Sequence, residues 1–426
     1  MLAMLAFTAC SSNNDEAVNA PQFWHVTLTA SMGDETTRTL AENGNAIIAS
    51  FEVNDELVVV DADGSTIVGT LYAQSKGTST TLSGTLNATT LAVDEVVTVR
   101  YRSATANYDG QVGTLDGIAE HQDYAEGTLT VSTISPSLTF TSTNVMLIPK
   151  QSITKFSFTD GKNPATPISV KDFRIIADGL VQSIATNGAE TAGTITGTLA
   201  SASSDVYVAL RNSSDPKQTY TFMVKDDNGN WYMGTKSAKL TNGKNYTATV
   251  ALTQPTLSTS SSAGTIGIVD GLPAIAVNIS GTMTAVALMN AGATWPEDYG
   301  SYYTFNNLPY DTPPSNNWYV PTQTELNVLA GISNAWGTQN GVSGCKFTIG
   351  GNMLFLPAAG LDDGDDNPQD FRFVSTYGYY WSSESINSDL AYALDFYGDP
   401  SFTIQSDSWY KIDGLTVRPF HALTTP

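Results

Sequence analysis

Short runs in which apolar and polar residues alternate recur along the first part of the chain. They cover residues 24–30, 46–53, 57–60, 96–101 and 129–132. A period of two predicts half-buried β-strands, and the segments rich in Asp, Asn and Gly between the runs predict turns. The spacing is that of a β-sandwich, and the long polar stretch from Gly110 to Gly127 fits a Greek-key crossing. We therefore predict a first β-sandwich over residues 23–142.

A second block with the same pattern opens near Asn144. Its apolar runs cover residues 145–149, 153–158, 205–210, 220–224 and 245–252. This block predicts a second β-sandwich over residues 143–253. Residues 257–264 are then small and polar, which is typical of a flexible linker, and we assign that linker to residues 254–270.

Residues 271–426 have a different character. Five of the seven Trp residues of the chain lie after residue 290, which predicts a compact core with irregular loops and short strands. One helix is predicted where Thr322 precedes Glu325 by three residues, the spacing of a capping box. This region is predicted to be a separate α+β domain.

The composition fits a mainly β protein and excludes one class of partner. Only 14% of the residues are charged, and 19 Lys and Arg against 41 Asp and Glu give a formal net charge of −22. Such a field repels phosphate backbones and anionic lipid headgroups, so we expect no nucleic-acid partner. No run after the N-terminal leader reaches the 18 apolar residues that a membrane-spanning helix needs.

The first ten residues form a short apolar run that ends in small residues before Cys10. This leader resembles a bacterial lipoprotein signal, although Phe7 stands where such signals usually carry an aliphatic residue and no Lys or Arg precedes the run. The resemblance implies that Cys10 is acylated and anchors the protein at the outer membrane, with residues 1–22 as signal and tether. A buried N-terminal strand is the alternative, but the polar residues directly after Cys10 do not favour it.

Residues 23–253 resemble the fimbrillin family of Bacteroidetes, whose subunits form type V pili. The matching segments are Thr37-Arg38-Thr39, residues 51–59, residues 113–118 with Asp123-Tyr124, and Gly243-Lys244-Asn245-Tyr246. The resemblance implies two transthyretin-like β-sandwiches. It also implies that a protease cuts between Arg38 and Thr39, and that a strand of another pilin subunit then replaces the strand that was removed. The alternative for Arg38 is an ordinary turn residue.

Residues 271–421 resemble the major paralogous domain of Fibrobacter type, a fold related to C-type lectins. The matching segments are residues 292–300, 319–326, 340–344, 354–360, 378–383 and 417–420. The resemblance implies a C-type-lectin-like domain that displays a ligand-binding surface. Formylglycine-generating enzymes share this fold, but their chemistry uses cysteines and this domain contains Cys345 alone.

Few residues suggest catalysis or binding chemistry. His25, His121 and His421 lie in three distant regions, and the two cysteines, Cys10 and Cys345, are too far apart in sequence to indicate a disulfide framework. We therefore expect no catalytic residues, no metal and no cofactor.

Two segments of the C-terminal region are candidates for ligand binding. The first is the acidic loop that contains Asp363, Asp365 and Asp366, which offers oxygen ligands to Ca²⁺ but lacks the Gly and the closing Glu of an EF-hand loop; a solvated loop is the alternative. The second contains the aromatic residues Tyr397, Trp409 and Tyr410 as a stacking surface. Trp381 is interpreted as a core residue, with a sugar-stacking platform as the alternative.

Together these observations predict a non-enzymatic surface protein, an accessory or tip fimbrillin that assembles by β-strand addition and displays a C-terminal adhesin domain. Its partners would be other pilin subunits and a glycan or protein ligand. A folded domain follows the second sandwich, where the family's donor strand would lie, so the chain is expected to accept a strand without donating one. The alternatives are a surface lipoprotein that does not polymerise and, from another class, an enzyme on the formylglycine-generating fold.

Overall fold

A computed structural model describes residues 23–425, apart from residues 33–40, 44–45, 49, 214–216, 314–316, 364–369 and 399–402. The described chain is mainly β, with two short α-helices and one 3₁₀ turn. No described helix is long and apolar enough to cross a membrane.

The N-terminal strands form one eight-stranded sheet. The elements of this region are β1 (Phe23–Met32), β2 (Ala41–Asn43), β3 (Ala46–Ile48), β4 (Glu56–Val60), β5 (Ile67–Ala73), β6 (Ser79–Asn87), β7 (Val96–Tyr101), β8 (Ala106–Asn107), α1 (Leu115–His121), β9 (Ala125–Thr133), β10 (Thr139–Phe140) and β11 (Asn144–Pro149). The order in the sheet is β10-β9-β11-β1-β6-β5-β4-β7, and β7 also pairs with β9. Because β9 contacts both β7 and β11, the hydrogen-bonded ladder closes on itself around the apolar core, and the region is one continuous sheet.

Two segments differ from the predicted domain limits. Strand β11 was expected to open the second sandwich, but it runs parallel to β1 and completes the first sheet. The polar stretch after β7 was expected to be a plain connection. It contains helix α1, capped by Thr114, and its residues Tyr108, Ile118 and Tyr124 pack into the core of the next region.

The second region consists of two sheets that pack around one core. Its strands are β12 (Ser152–Asp160), β13 (Val170–Ile176), β14 (Leu180–Ile184), β15 (Glu190–Ala192), β16 (Ile195–Ser203), β17 (Asp205–Asn212), β18 (Gln218–Asp226), β19 (Trp231–Ala238) and β20 (Asn245–Leu252). One sheet has the order β15-β14-β17-β12-β20, with β8 beside β14, and the other has the order β16-β13-β18-β19. Phe222 packs edge-on against Phe156 and Phe158, with ring centroids 4.9 and 5.8 Å apart, so both sheets share these rings.

The segment predicted to be a flexible linker is instead part of the C-terminal domain. Leu257 is buried, and the backbone N–H of Gly264 donates to the carbonyl of Ala276 at 2.8 Å. Gly264 has φ +87°, and a Cβ there would lie 2.2 Å from the carbonyl oxygen of Ile349. The small residues therefore serve close packing, so the linker prediction was wrong for residues 254–270.

The C-terminal region combines small sheets with one helix. Its elements are β21 (Ile266–Val269), β22 (Leu272–Ile279), β23 (Thr282–Ala287), the 3₁₀ turn (Phe305–Asn307), α2 (Gln323–Ala330), β24 (Asn334–Gln339), β25 (Val342–Ile349), β26 (Asn352–Pro357), β27 (Leu361–Asp362), β28 (Phe371–Arg372), β29 (Tyr377–Ser385), β30 (Leu390–Tyr397), β31 (Thr403–Tyr410) and β32 (Phe420–Ala422). The sheets are β21-β22-β23-β32, β24-β25-β26, β27-β28 and β29-β30-β31. Helix α2 begins with the predicted capping box, since Thr322 and Glu325 each accept a hydrogen bond from the other's backbone N–H. Trp381 is fully buried, as expected of a core residue.

A buried ion pair joins the second sandwich to the C-terminal region. The two terminal guanidinium nitrogens of Arg174 on β13 donate to the carboxylate of Glu297, and the two side chains are 3% and 7% exposed. Gln339 donates to the same carboxylate at 2.6 Å. Trp295, two residues before Glu297 in the sequence, packs edge-on against Trp231 of the second sandwich, with ring centroids 5.4 Å apart. The second sandwich and the C-terminal region are therefore held by polar and apolar contacts together.

Candidate functional site

Strand β1 lies between two neighbours that do not bond to each other. It pairs antiparallel with β6 over nine residues, from Phe23 opposite Asn87 to Ser31 opposite Ser79. On its other side it pairs parallel with β11 over four residues, from Thr29 to Met32. The removal of β1 would therefore leave unpaired backbone groups on β6 and on β11.

The side chains of β1 alternate as the sequence predicts. Val26, Leu28 and Ala30 are 5%, 3% and 0% exposed and pack into the core, whereas Phe23, His25, Thr27 and Thr29 are exposed. A strand with this alternation fills a groove with every second residue. Any replacement strand needs the same alternation, which gives the groove a sequence preference.

The predicted processing and lipidation residues lie outside the described residues. Arg38 and Thr39 belong to residues 33–40, between β1 and β2, and Cys10 belongs to residues 1–22. In the sequence, a cut between Arg38 and Thr39 separates β1 from all later strands.

The acidic loop is described only in part. Asp365 and Asp366 lie outside the described residues, whereas Asp363 forms an ion pair with Arg372 at 2.5 Å. Arg372 also pairs with Asp370 at 2.9 Å. Among the described residues no group of three or more His, Cys, Asp or Glu side chains could hold a metal ion. The described part of the loop is thus organised around an arginine.

The aromatic candidates divide between two faces of one sheet. In the register of β30 and β31, Tyr397 lies opposite Thr403 and Ala391 lies opposite Trp409, which places Tyr397 and Trp409 on the same face. Tyr410 follows Trp409 directly and so lies on the opposite face, where its side chain is 60% exposed. The structure therefore places Tyr397 and Trp409 on one face, near opposite ends of the paired strands, and Tyr410 on the other face.

Strand β28 and the residue that follows it add two aromatic residues that the sequence analysis missed. Phe371 and Phe373 are 48% and 51% exposed, and the Phe373 ring lies 5.2 Å from the ring of Tyr377. Phe373 adopts φ +61°, a left-handed conformation that costs free energy for a bulky residue. Gly360 lets the backbone before Phe373 pack closely against it, since a Cβ at Gly360 would lie 2.2 Å from the carbonyl oxygen of Arg372. The only sequence signal was two phenylalanines beside a polar loop.

Asp395 is a buried carboxylate on the face that carries Tyr397 and Trp409. It is 5% exposed and lies opposite Tyr379 on β29 and Gln405 on β31. Burial, reinforced by the nearby carboxylate of Asp407, raises the pKa of Asp395 to about 6, against the opposing hydrogen bond from Gln405. The folded protein therefore holds this proton at pH values where the unfolded chain has released it.

This pKa shift predicts a pH dependence of stability. Because the folded pKa exceeds the unfolded one, the contribution of Asp395 is complete below about pH 4 and is lost as the pH rises through about 6. Gln405 and Asp407 are exposed, so solvent screens part of the effect of burial on Asp395. We therefore expect the free energy of unfolding of the wild type to fall by about 2 kcal/mol, relative to that of Asp395→Asn, between pH 4 and pH 7. Urea unfolding of both proteins across this range measures the difference. A difference that does not change with pH would contradict the assignment.

The other titratable candidates occupy structural positions. Cys345 is fully buried in the apolar core, and burial raises the pKa of its thiol well above the usual range, which keeps it protonated. His421 bonds to Asp270 at 2.9 Å, His25 bonds to Ser83 at 3.0 Å, and His121 lies beside Glu120. These residues are far apart in the fold, so the described structure does not assemble them into one site.

Comparisons with known proteins give weak likenesses. A family model described as a domain of unknown function, DUF8237, matches residues 350–420, which include β29–β31. No curated protein matches the chain.

Similar solved structures include the tip fimbrial protein Mfa3 of Porphyromonas gingivalis, with 9% identity and a TM-score of 0.27 over 50% of this chain and 81% of that one. A fimbrial assembly protein of Parabacteroides distasonis has 12% identity and a TM-score of 0.27 over 62% and 94% of the two chains. A Bacteroides uniformis protein assigned to cell adhesion has 14% identity and a TM-score of 0.32 over 54% and 96%.

Proposed function

We propose that this chain is a fimbrial surface protein of the accessory or tip kind, without enzymatic activity, which is completed by a β-strand of another pilin subunit. The observation that carries the proposal is the position of β1, a full-length strand between β6 and β11 that is separated from all later strands by a segment containing Arg38. A cut after Arg38 would leave β1 held by non-covalent contacts only. The groove beneath it would then accept another strand with the same alternation.

A lipid on Cys10 would give this exchange a second consequence. The anchor and β1 lie on the same side of Arg38, so the cut protein would stay at the outer membrane only while β1 occupies its groove. Entry of a partner strand would release the body from its anchor and fix it in the fimbria at the same time.

The second sandwich favours the role of an acceptor that does not donate. Its last strand, β20, runs parallel to β12 over eight residues and leads directly into the C-terminal region. That region is held on the same sandwich through Arg174, Glu297 and the two tryptophans of the junction. To release β20 as a donor strand, this junction would have to break. We therefore assign the chain to an accessory or tip position in the fimbria, where its C-terminal, lectin-like adhesin domain is displayed.

Complex formation after proteolysis tests this function. Protein cut with an arginine-specific protease should form a stable one-to-one complex with a donor-competent stalk subunit, and Arg38→Ala should block both the cut and the complex. Size-exclusion chromatography with light scattering measures the masses. Long self-polymers would refute the tip assignment. A protein that stays intact and monomeric would favour a surface lipoprotein that does not polymerise.

The anchor is tested separately. Cys10→Ala should abolish metabolic labelling with a radioactive fatty acid and release the protein from the membrane fraction, because acylation needs the cysteine thiol. Cys345→Ala is the matched control, since that thiol is buried, and it should leave labelling unchanged. Labelling that persists in Cys10→Ala would remove the lipid from the proposal.

A further inference from the structure

A cavity of about 530 Å³, which we call the junction cavity, lies between the second sandwich and the C-terminal region. One wall is the outer face of the sheet β16-β13-β18-β19, where Arg174 and Met223 lie opposite each other. The other wall is the face of the sheet β24-β25-β26 that carries Gln339, Lys346 and Phe355. Pockets of this volume occur preferentially at domain interfaces and hold small ligands.

A pair of glycines shapes the second wall. Gly337 on β24 and Gly344 on β25 lie opposite each other. A Cβ on Gly344 would lie 2.7 Å from the ring of Phe355, and a Cβ on Gly337 would lie 3.3 Å from the side chain of Lys346. The glycines therefore leave room for the aromatic ring and for the end of the lysine side chain, which runs past Gly337. The sheet thus holds Lys346 in position along the cavity wall.

Hydrogen bonds between the two regions close the cavity at two places. The Oδ1 atom of Asn340, in the turn after β24, accepts from the backbone N–H of Thr194 at 2.9 Å. Gln339 donates to the carboxylate of Glu297 at 2.6 Å. The exposed part of the lining, at the opening, includes Ile176, Asp178 and Met353. A ligand can therefore enter from solvent and contact both regions.

Lys346 is a cation of the lining that lacks a counter-ion. Arg174 is neutralised by Glu297, and Asp178 is exposed, so water solvates its carboxylate. Lys346 is half-buried, and within the described part of the chain its ammonium has no hydrogen-bond acceptor and no carboxylate partner. An ammonium that has lost part of its hydration is stabilised by an anion that enters. In a chain of net charge −22, the cavity thus presents a positive charge to a ligand.

The rest of the lining selects the body of the ligand. The amide groups of Gln339 and Asn340 already bond to Glu297 and Thr194, so a polyhydroxylated ligand would leave hydroxyl groups unsatisfied here. Apolar groups lose nothing by the same burial. The buried apolar side chains of the lining are Leu180, Met223, Leu288 and Phe355.

We propose that the junction cavity binds a small organic acid, whose carboxylate pairs with the ammonium of Lys346 and whose apolar body packs against the two walls. The occupant contacts the second sandwich and the C-terminal region together, so its binding holds the C-terminal region in place. This inference goes beyond the assembly function proposed above and does not depend on it.

Titration calorimetry of the full chain with octanoate and with phenylbutyrate tests the site. We expect binding that is about tenfold tighter or more than that of octanol, phenylbutanol and octylammonium, which lack the negative charge. Lys346→Met keeps the stem and removes the ammonium, so it should weaken the acids by about tenfold or more. The variant is expected to fold, because the ammonium makes no bond in the described part of the chain. Lys236→Met is the matched control, at a half-buried lysine of β19 outside the cavity, and should bind as the wild type does.

Reductive methylation of the wild type gives a second measurement that needs no variant. Bound acid should slow the methylation of Lys346 and leave that of Lys236 unchanged, as read by mass spectrometry of peptides. Three results would overturn the proposal. They are the absence of binding by both acids, acids that bind no more tightly than their alcohols, and bound acid that neither depends on Lys346 in the variant nor protects it from methylation.

Discussion

A chain that lacks residues 1–38 is expected to lose the cooperative folding of its first sheet. The deletion removes the buried side chains of Val26 and Leu28, each worth about 1.5–3 kcal/mol, together with the hydrogen bonds that β1 makes to both neighbours. A loss of roughly 5 kcal/mol is comparable with the whole stability of many domains. Circular dichroism should show that part of the β structure melts at a lower temperature, while the C-terminal region still melts as in the full chain.

A synthetic peptide of residues 23–32 should restore the missing stability. The matched pair of controls comes from the alternation of β1, in which Val26 and Leu28 are buried while Thr27 and Thr29 are exposed. A peptide with Asp in place of Thr27 and Thr29 should still rescue, whereas one with Asp in place of Val26 and Leu28 should not. If the truncated chain already melts like the full chain, β1 is dispensable and the groove does not depend on it.

Replacement of Arg174 by Met is expected to destabilise the protein by about 3–5 kcal/mol, because Glu297 would remain buried and, among the described residues, would keep Gln339 alone as a side-chain partner. The double variant Arg174→Met, Glu297→Leu should recover most of this loss, since it removes both charges. Lys76→Met is the control; Lys76 pairs with Glu52 at the surface, where such a pair contributes within about 1 kcal/mol.

Urea unfolding measures these differences, and limited proteolysis reports on the junction itself. The single variant should release a C-terminal fragment more readily than the wild type does. A double variant as unstable as the single one would show that the loss of stability comes from lost packing and not from an unpaired buried charge.

Local pattern predicted the local structure well. The alternation in residues 24–30 became β1, and the Thr322 to Glu325 spacing became the capping box of α2. Helix α1 was missed because it has only seven residues and contains Gly117, which weakens a helical pattern although Thr114 caps it. Short helices of this kind depend on tertiary packing, here on the core of the second sandwich.

Long-range pairing was beyond the sequence pattern. Strand β11 has the alternation of any half-buried strand, and nothing local shows that it runs parallel to β1 from more than 100 positions away. Composition likewise led to a wrong linker prediction around Gly264, where the small residues allow the backbone to approach that of Ile349 closely. Trp409 and Tyr410 lie on opposite faces because neighbouring side chains of a strand alternate, and this could be known only after β31 was assigned as a strand.

The residues on the Tyr397 and Trp409 face of the sheet were predictable in part. Tyr397 and Trp409 were expected from their residue type, but Asp395 was not, because one Asp between aromatic residues carries no signal of its own. Its position depends on the register of three strands, which brings Tyr379, Gln405 and the carboxylate to the same place.

Mass spectrometry of the protein after cleavage shows whether a partner strand replaces β1. The cut protein is isolated by size-exclusion chromatography, incubated with a donor-competent stalk subunit and isolated again. We predict that the N-terminal fragment ending at Arg38 elutes with the body after the cut, and that it leaves the body as the stalk subunit enters. A fragment that stays with the body while no subunit enters would rule out replacement of β1 by a partner strand.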